Sequence, residues 1–144
     1  VRPIPVTRGD FERAATLLDG LVLRHYAEHR DEQTGAVVIQ ARLSFATIET
    51  LNAFYAPGYN AFTLVRDGER MRLTQLLVPG GGTESPGLAA DLENYELTFT
   101  LHAPGRIVSV NLGSVTDNEK SATTRVTLAD VATRQRPLIW EVEW

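Results

Sequence analysis

The sequence predicts an α+β fold: a strongly curved antiparallel sheet built from hairpins, with roughly two or three short helices packed on one face. Roughly seven or eight segments have the composition and spacing of strands, and turn residues typical of hairpins separate several of them. Little alternation between strands and helices is present, which argues against a parallel sheet. The 144 residues, 43% of them hydrophobic, are most simply one domain, residues 1–144, with a substantial core.

The first part of the chain predicts a helix followed by a hairpin. Asp10 is expected to cap a short helix that buries Phe11 and ends at Gly20. Residues 21–31 fit either a helical stripe or an alternating strand. The Thr34-Gly35 turn and the alternating run after it favour a strand. In such a strand Leu21, Leu23, His25 and Ala27 would alternate onto one face.

A second helix and a second hairpin are predicted next. Thr47 is expected to cap the helix, and residues 56–58, Ala-Pro-Gly, are expected to stop it. Asp67-Gly68 is typical of a type I′ turn. This turn would pair Leu64 with Met71 and Phe62 with Leu73, placing four apolar residues on one face.

The last part of the chain predicts one long connection and further strands. Residues 79–91 are rich in Gly, Pro and Ser, and are expected to form a mobile connection or a lid. A strand from Tyr95 to His102 is expected to turn a corner at Pro104-Gly105 and to resume near Ile107. Residues 121–127 are expected to form a strand, residues 128–133 one helical turn, and residues 138–143 a final strand.

Composition excludes several classes of function. The formal net charge of −4 and the scattered charges provide no basic surface, so nucleic acid is not an expected partner. Without cysteine, the chain has no disulfide, thiolate metal site or cysteine nucleophile. It contains no signal-peptide core and no apolar span of transmembrane length. Any targeting or anchoring segment is therefore expected to lie outside these residues.

Catalytic patterns are weak. Residues 25–29, HYAEH, match the H-x-x-E-H zinc motif, but on a strand His25 and His29 would lie about 13 Å apart, too far to share one metal. The glycines at 80–82 lack the Gly-Lys-Ser/Thr of a phosphate loop. His102 and Asp130 lack a nucleophile elbow to complete a triad. We therefore expect a non-enzymatic protein with no catalytic residue, no metal ligand and no cofactor.

An apolar set on the predicted strands is the candidate ligand-binding surface. Its members are either core residues or the lining of a groove for an acyl chain. Three arginines on the central hairpin, Arg66, Arg70 and Arg72, would face an anionic head group or solvent. The candidate ligand-binding residues are Phe62, Leu64, Met71, Leu73, Leu97, Phe99, Leu101 and Trp140.

One segment carries a family resemblance. An alternating strand leads into Phe-x-x-x-x-Pro-Gly, a hydrophobic pair and an asparagine, present here as Phe99, Pro104, Gly105, Ile107, Val108 and Asn111. The segment resembles the LppM-type domain of bacterial envelope lipoproteins. Such domains tend to have a tryptophan in the strand soon after the asparagine, whereas Trp140 comes later here.

The resemblance implies a helix-grip-like fold, an extracytoplasmic location in the bacterial envelope, and a membrane anchor in segments outside this chain. It also implies lipid or glycolipid binding. Two alternatives remain open from the residues alone. One is a protein-interaction or assembly module without a ligand cavity, and the other is a small hydrolase.

Overall fold

The computed structural model describes residues 5–55, 61–82, 86–116 and 118–144. Its α+β class and antiparallel strand pairing confirm the predicted fold class. The strands in the described ranges divide among sheets of two, four and three strands. The chain forms two compact units, an N-terminal unit of residues 1–59 and a C-terminal unit of residues 60–144. The expectation of a single domain stays a prediction.

Within residues 5–55, the N-terminal unit has a hairpin and two helices. Helix α1 spans Arg8–Leu17, strands β1 and β2 span Leu21–Arg30 and Val37–Phe45, and helix α2 spans Ile48–Tyr55. The structure thus confirms the strand over 21–30, because the Asp31–Ala36 turn closes an antiparallel pair. The Asp31 carboxylate accepts the backbone N–H groups of Gln33 and Thr34, which lowers the pKa of Asp31.

The cap of α1 differs from the prediction. Thr7, not Asp10, is the N-cap residue, and its hydroxyl accepts the Asp10 N–H at 3.2 Å. The Asp10 carboxylate accepts the Thr7 N–H at 3.0 Å in return, forming a capping box. The prediction assigned the N-cap to the wrong residue, because an aspartate at the third helical position resembles an N-cap aspartate in sequence. For α2 the predicted cap is confirmed, since Thr47 accepts the Thr50 N–H at 3.1 Å. The predicted stop at 56–58 lies outside the described residues.

A β-bulge in β1 changes which residues face inwards. Leu23 pairs with Leu43, but His25 pairs with Arg42, so Arg24 is an extra residue. Beyond it the alternation is inverted, and Tyr26 takes the position predicted for His25. The prediction that His25 and Ala27 share the face of Leu21 was therefore wrong.

Aromatic contacts hold the helices of the N-terminal unit against the hairpin. Phe11 of α1 lies 5.9 Å from Tyr26 of β1 and 6.4 Å from Phe54 of α2, measured between ring centroids. Phe45 of β2 lies 5.7 Å from Phe54. Ring contacts at these distances stabilise the unit in addition to the burial of apolar area.

The C-terminal unit contains two antiparallel sheets. One has the order β3-β4-β9-β6 and the other the order β5-β8-β7. The strands and helices of this unit are β3 Phe62–Asp67, β4 Arg70–Val78, α3 Pro86–Leu92, β5 Glu96–His102, β6 Ser109–Val110, β7 Ser114–Val115, β8 Ser121–Thr127, α4 Leu128–Thr133 and β9 Leu138–Glu143.

The β3–β4 hairpin turns one residue later than predicted. Asp67 pairs with Arg70, so the loop is Gly68-Glu69, and only Gly68 has a positive φ, as in a type II′ turn. Leu64 therefore pairs with Leu73 rather than with Met71. The register moves by two positions in total, so the predicted face is preserved even though the predicted partners were wrong.

The corner at Pro104-Gly105 carries the chain from one sheet to the other, because β5 pairs with β8 and β6 pairs with β9. A single buried cluster, with contributions from both sheets, forms the core of the unit. Trp140 is at its centre, 2% exposed, and donates from Nε1 to the carbonyl of Leu112 at 3.1 Å. The buried members are Leu77, Val78, Ala103, Ile107, Ala122, Val126, Trp140 and Val142.

The predicted connection over 79–91 is only partly irregular. Residues 86–92 form α3, which the composition did not indicate, and the expected mobility of the connection stays a prediction. Gly81 and Gly82 donate backbone hydrogen bonds to the carbonyls of Gln135 and Arg134 at 2.9 and 3.0 Å. Residues 83–85 lie outside the described ranges. The predicted helical turn over 128–133 is confirmed as α4, and the predicted final strand is confirmed as β9.

Candidate functional site

The predicted apolar set lies on the faces that the two sheets of the C-terminal unit turn towards their shared core. Register places Phe62 and Leu64 of β3 on the same face as Leu73 and Trp140. The other sheet contributes three residues: Leu97, Phe99 and Leu101. The eight residues therefore come from two sheets rather than from the single sheet expected.

Burial divides this set into core residues and accessible residues. Trp140 and Leu73 are buried, which is the ordinary role of apolar residues on paired strands. Leu64 and Leu97 are each 41% exposed. The remaining members, Phe62, Met71, Phe99 and Leu101, are half-buried.

The three arginines of the central hairpin are already engaged within the chain. Arg72 donates from Nε and Nη2 to Glu143 Oε1, at 3.2 and 2.7 Å. Arg70 lies 3.7 Å from the same carboxylate, and Arg66 donates to the carbonyl of Gly68. These contacts leave Arg70 and Arg72 as parts of an ion-pair network rather than as free anion ligands.

Glu143 is the centre of that network. It also accepts the hydroxyl of Ser109 at 3.2 Å, beside a shallow cleft of about 290 Å³. The hydrogen bond from Arg72, more than that from Ser109, holds the pKa of Glu143 below its ordinary value, and the same bond raises the pKa of Arg72. The network thus connects β4, β9 and β6.

The histidines do not form a metal site. His25 and His29 are exposed on β1, where strand spacing separates them, so the helical arrangement required by H-x-x-E-H is not formed. Across residues 5–55, 61–82, 86–116 and 118–144, no group of three or more His, Cys, Asp or Glu side chains is placed to hold a metal ion.

The described part of the chain contains a serine–histidine contact. Nδ1 of His102 lies 2.6 Å from Oγ of Ser121, directly across the β5–β8 pair. Ser121 is 6% exposed, which limits the approach of a substrate to its hydroxyl. Asp130 does not complete a triad with them, since its carboxylate lies beside Arg134 in α4.

A polar cleft that the sequence did not predict lies between α4, β8 and the segment leading into β7. Its volume is about 550 Å³, and its charged lining residues are Arg125, Asp130 and Arg134. The other lining residues are Leu112, Gly113, Ser114, Thr123, Thr124 and Leu138. The only sequence signal for it is the i,i+4 spacing of Asp130 and Arg134, because the other walls come from distant segments.

Arg134 occupies an unusual position in this cleft. Its backbone is fixed on both sides, since its N–H donates to Asp130 and its carbonyl accepts from Gly82, both at 3.0 Å. Its Nε is buried and has no hydrogen-bond partner within the described part of the chain. The guanidinium contacts the Asp130 carboxylate only loosely, at 3.7 Å from Nη2 to Oδ1.

No protein-family model matches the chain, and neither the curated proteins nor the solved structures include a significant match. The resemblance to LppM-type domains therefore stays a prediction. Among the described helices, none has both the length and the apolar character needed to cross a bilayer.

Proposed function

We propose that this chain is a non-enzymatic, extracytoplasmic domain of the bacterial envelope that binds the acyl part of a lipid or glycolipid through its C-terminal unit. The observation that carries the proposal is the accessibility of Leu64 and Leu97, which belong to the core-facing sides of two different sheets. The resemblance of residues 99–111 to LppM-type domains supports the location and the class of ligand. Anchoring through segments outside this chain is part of the same proposal.

Apolar surface at these positions favours an acyl chain for a simple physical reason. Burial of apolar area contributes about 25 cal/mol per Å², or roughly 0.8 kcal/mol per CH₂ group of the ligand. Half-buried Phe62 and Met71 adjoin Leu64 on the same face and extend this surface. An acyl chain needs no polar partner, and the nearby arginines already have theirs.

The first test is native mass spectrometry of the purified protein, before and after denaturing lipid extraction. We expect a bound species of lipid mass that is lost on denaturation, and its mass would identify the ligand class. A bare mass, with no uptake of added lysophosphatidylglycerol below its micellar concentration, would contradict the proposal.

A matched pair of variants on β3 localises the binding. Leu64→Asn is expected to weaken lysophosphatidylglycerol binding roughly three- to tenfold, because a partly exposed leucine contributes about half of the 1.5–3 kcal/mol of a fully buried one. Val65→Asn serves as the control, since Val65, on the opposite face of the strand, is at least as exposed, at 51% against 41% for Leu64. Equal losses in the two variants would place the ligand elsewhere.

A protein-interaction module is the second candidate, favoured by the β1–β2 hairpin. No third strand pairs with this sheet within the described residues, and an unpaired edge is the usual site for addition of an extended peptide. The Arg24 bulge and the charges of β1 oppose such pairing, which ranks this candidate second. Photo-cross-linkers at Val22 and Leu64 in the producing cell distinguish the two: protein adducts at Val22 favour this candidate, and lipid adducts at Leu64 favour the first.

A further inference from the structure

We propose that the polar cleft beside α4 binds a phosphate group, with the Arg134 guanidinium as its principal ligand. The first observation is the buried Arg134 Nε without a hydrogen-bond partner in the described ranges. A buried N–H that lost its water on folding and gained no protein acceptor is costly, so a shift of the 38%-exposed Arg134 side chain that brings Nε to a ligand acceptor in the cleft is favoured.

The second observation is the composition of the cleft. Arg125 and Arg134 exceed the single carboxylate of Asp130, so the lining carries a net positive charge. Arg125 has its only ion pair in the described chain with Glu96, at a long 3.8 Å, and its side chain is largely exposed at the rim. The rim therefore attracts an anion, and the partly exposed Arg134 guanidinium offers it directed hydrogen bonds.

The third observation is that the guanidinium and hydroxyl-bearing residues lie in different walls of the cleft. Ser114, Thr123 and Thr124 line the wall formed by β7 and β8. The hydroxyl oxygens of Thr123 and Thr100 lie 3.2 Å apart, within hydrogen-bond distance. Ser114 of β7, Arg125 of β8 and Arg134 next to α4 offer donors from different walls, which suits a tetrahedral phosphate, whereas a carboxylate presents its two oxygens in one plane to a single fork.

Rigid walls preserve this arrangement. Gly113 has a φ of 76°, and a Cβ there would collide with the backbone of Thr123, so only glycine lets the chain enter β7 this close to β8. On the other side, Gly82 packs against the backbone of residues 132–134, where a Cβ would lie 2.7 Å from the Ala132 carbonyl oxygen. The Arg134 backbone is thus held before a ligand arrives, which reduces the entropy lost on binding.

Asp130 determines the sign of the most informative test. Its carboxylate competes with a phosphate for the guanidinium and also repels the phosphate, although its 3.7 Å contact is too long for a hydrogen bond. Removing this charge should therefore strengthen phosphate binding, whereas removing the Arg134 charge should weaken it. If the Asp130–Arg134 pair had only a structural role, removing the two charges would not have opposite effects on phosphate binding.

The experiment is a titration of the intact chain with inorganic phosphate at constant ionic strength, followed by the NMR signal of the Arg134 Nε–H and by backbone amides. We expect a saturable shift of the Arg134 Nε–H together with the amides of 113–114 and 123–125. Arg134→Gln should weaken binding roughly 10- to 100-fold, the usual range for a lost charge-assisted contact. Arg134→Lys keeps the charge without the Nε–H, so its affinity for phosphate should lie between that of the unmodified chain and that of Arg134→Gln.

Two matched variants complete the test. Asp130→Asn should tighten phosphate binding several-fold, and Arg136→Gln, which removes an exposed arginine that does not line the cleft, should leave it unchanged. The proposal is overturned if the shift does not saturate, if Arg136→Gln weakens binding as much as Arg134→Gln, or if Asp130→Asn weakens it.

The source of the phosphate is resolved by three probes. Glycerol 3-phosphate tests a soluble ester, and phosphatidylglycerol vesicles compared with phosphatidylcholine vesicles test a headgroup. None of the eight apolar candidate residues lines this cleft, so the inference does not rest on the proposed lipid function. If Leu64→Asn loses lysolipid binding but keeps phosphate binding, the two sites are separate. Loss of phosphate binding with lysolipid binding retained in Arg134→Gln would show the same.

Discussion

The two units of the chain are stabilised by contacts of different range. In the N-terminal unit a hairpin pairs neighbouring strands, and four aromatic rings within residues 11–54 hold two helices to it. In the C-terminal unit β9 pairs with β4, more than half of the unit away in sequence, and Trp140 lies in a cluster that begins at Leu77. This difference indicates that the N-terminal unit depends on contacts between residues close in sequence. The core of the C-terminal unit, in contrast, is complete only when its last strand, β9, has paired with β4.

The largest expected effect comes from removing the centre of the long-range core. Trp140→Ala deletes a side chain that is almost fully buried and leaves a cavity, which should lower the free energy of unfolding by about 3–5 kcal/mol. The measurement is chemical denaturation followed by circular dichroism, with amide hydrogen exchange resolved by residue.

Hydrogen exchange turns this variant into a test of the comparison itself. We expect amide protection to fall across β4, β8 and β9, while that of β1 and β2 is retained. Ile139→Ala, on the exposed side of the same strand, is the matched control and should cost about 1 kcal/mol or less. Equal loss of protection in both units would instead support the single domain predicted from the sequence.

An intermediate effect is expected from two glycines, one in each unit. Gly113 and Gly35 have nearly the same positive φ, 76° and 72°, but only at Gly113 would a Cβ meet another strand. Gly35→Ala should therefore cost about 1–2 kcal/mol, the penalty of the left-handed backbone alone. Gly113→Ala should cost clearly more, because the Thr123 backbone has to move.

Thermal unfolding of the two variants checks this difference. Gly87→Ala is a suitable reference, since a Cβ there meets nothing within 4 Å and the residue lies in helix α3. If Gly35→Ala proved as destabilising as Gly113→Ala, backbone conformation rather than strand contact would govern both sites.

The same contrast explains which parts of the fold the sequence predicted. Signals confined to a few residues were sufficient for the β1–β2 hairpin, the Thr47 cap, α4 and β9. The Arg24 bulge was missed because it is defined by the partner strand, not by β1 itself. The Gly68-Glu69 turn is displaced by one residue from the predicted Asp67-Gly68 loop, since Asp67 pairs with Arg70 as the last residue of β3.

The candidate sites follow the same rule. Alternation identified the apolar residues of each strand, but it did not indicate that Leu64 and Leu97 would stay accessible while Trp140 became buried. The polar cleft was missed altogether, because its walls come from residues 112–114, 123–125 and 130–138. Only Asp130 and Arg134, one helical turn apart, lie close enough in sequence to suggest a pair.

The smallest expected effect is a difference in acid sensitivity. The pKa of Glu143 is lowered mainly by its hydrogen bond with Arg72, and the pKa of Asp10 is lowered mainly by its hydrogen bond with Thr7. A carboxyl group whose folded pKa is depressed stabilises the fold above its unfolded pKa, and this stability is lost as the pH falls through the folded pKa. The losses therefore begin near the ordinary values, 4.5 for Glu143 and 3.8 for Asp10.

Glu143→Gln should lower the stability of the C-terminal unit at neutral pH and flatten its decline below about pH 4.5. Asp10→Asn should act in the same direction on α1, starting at a lower pH, because the ordinary pKa of Asp10 is lower than that of Glu143. Hydrogen exchange measured from pH 3 to pH 7 distinguishes the two units, and Glu141→Gln on β9 is the matched control. The stability of the C-terminal unit could instead decline as steeply with falling pH in Glu143→Gln as in the unmodified chain. That result would show that the Arg72–Glu143 pair is not among the contacts that distinguish the two units.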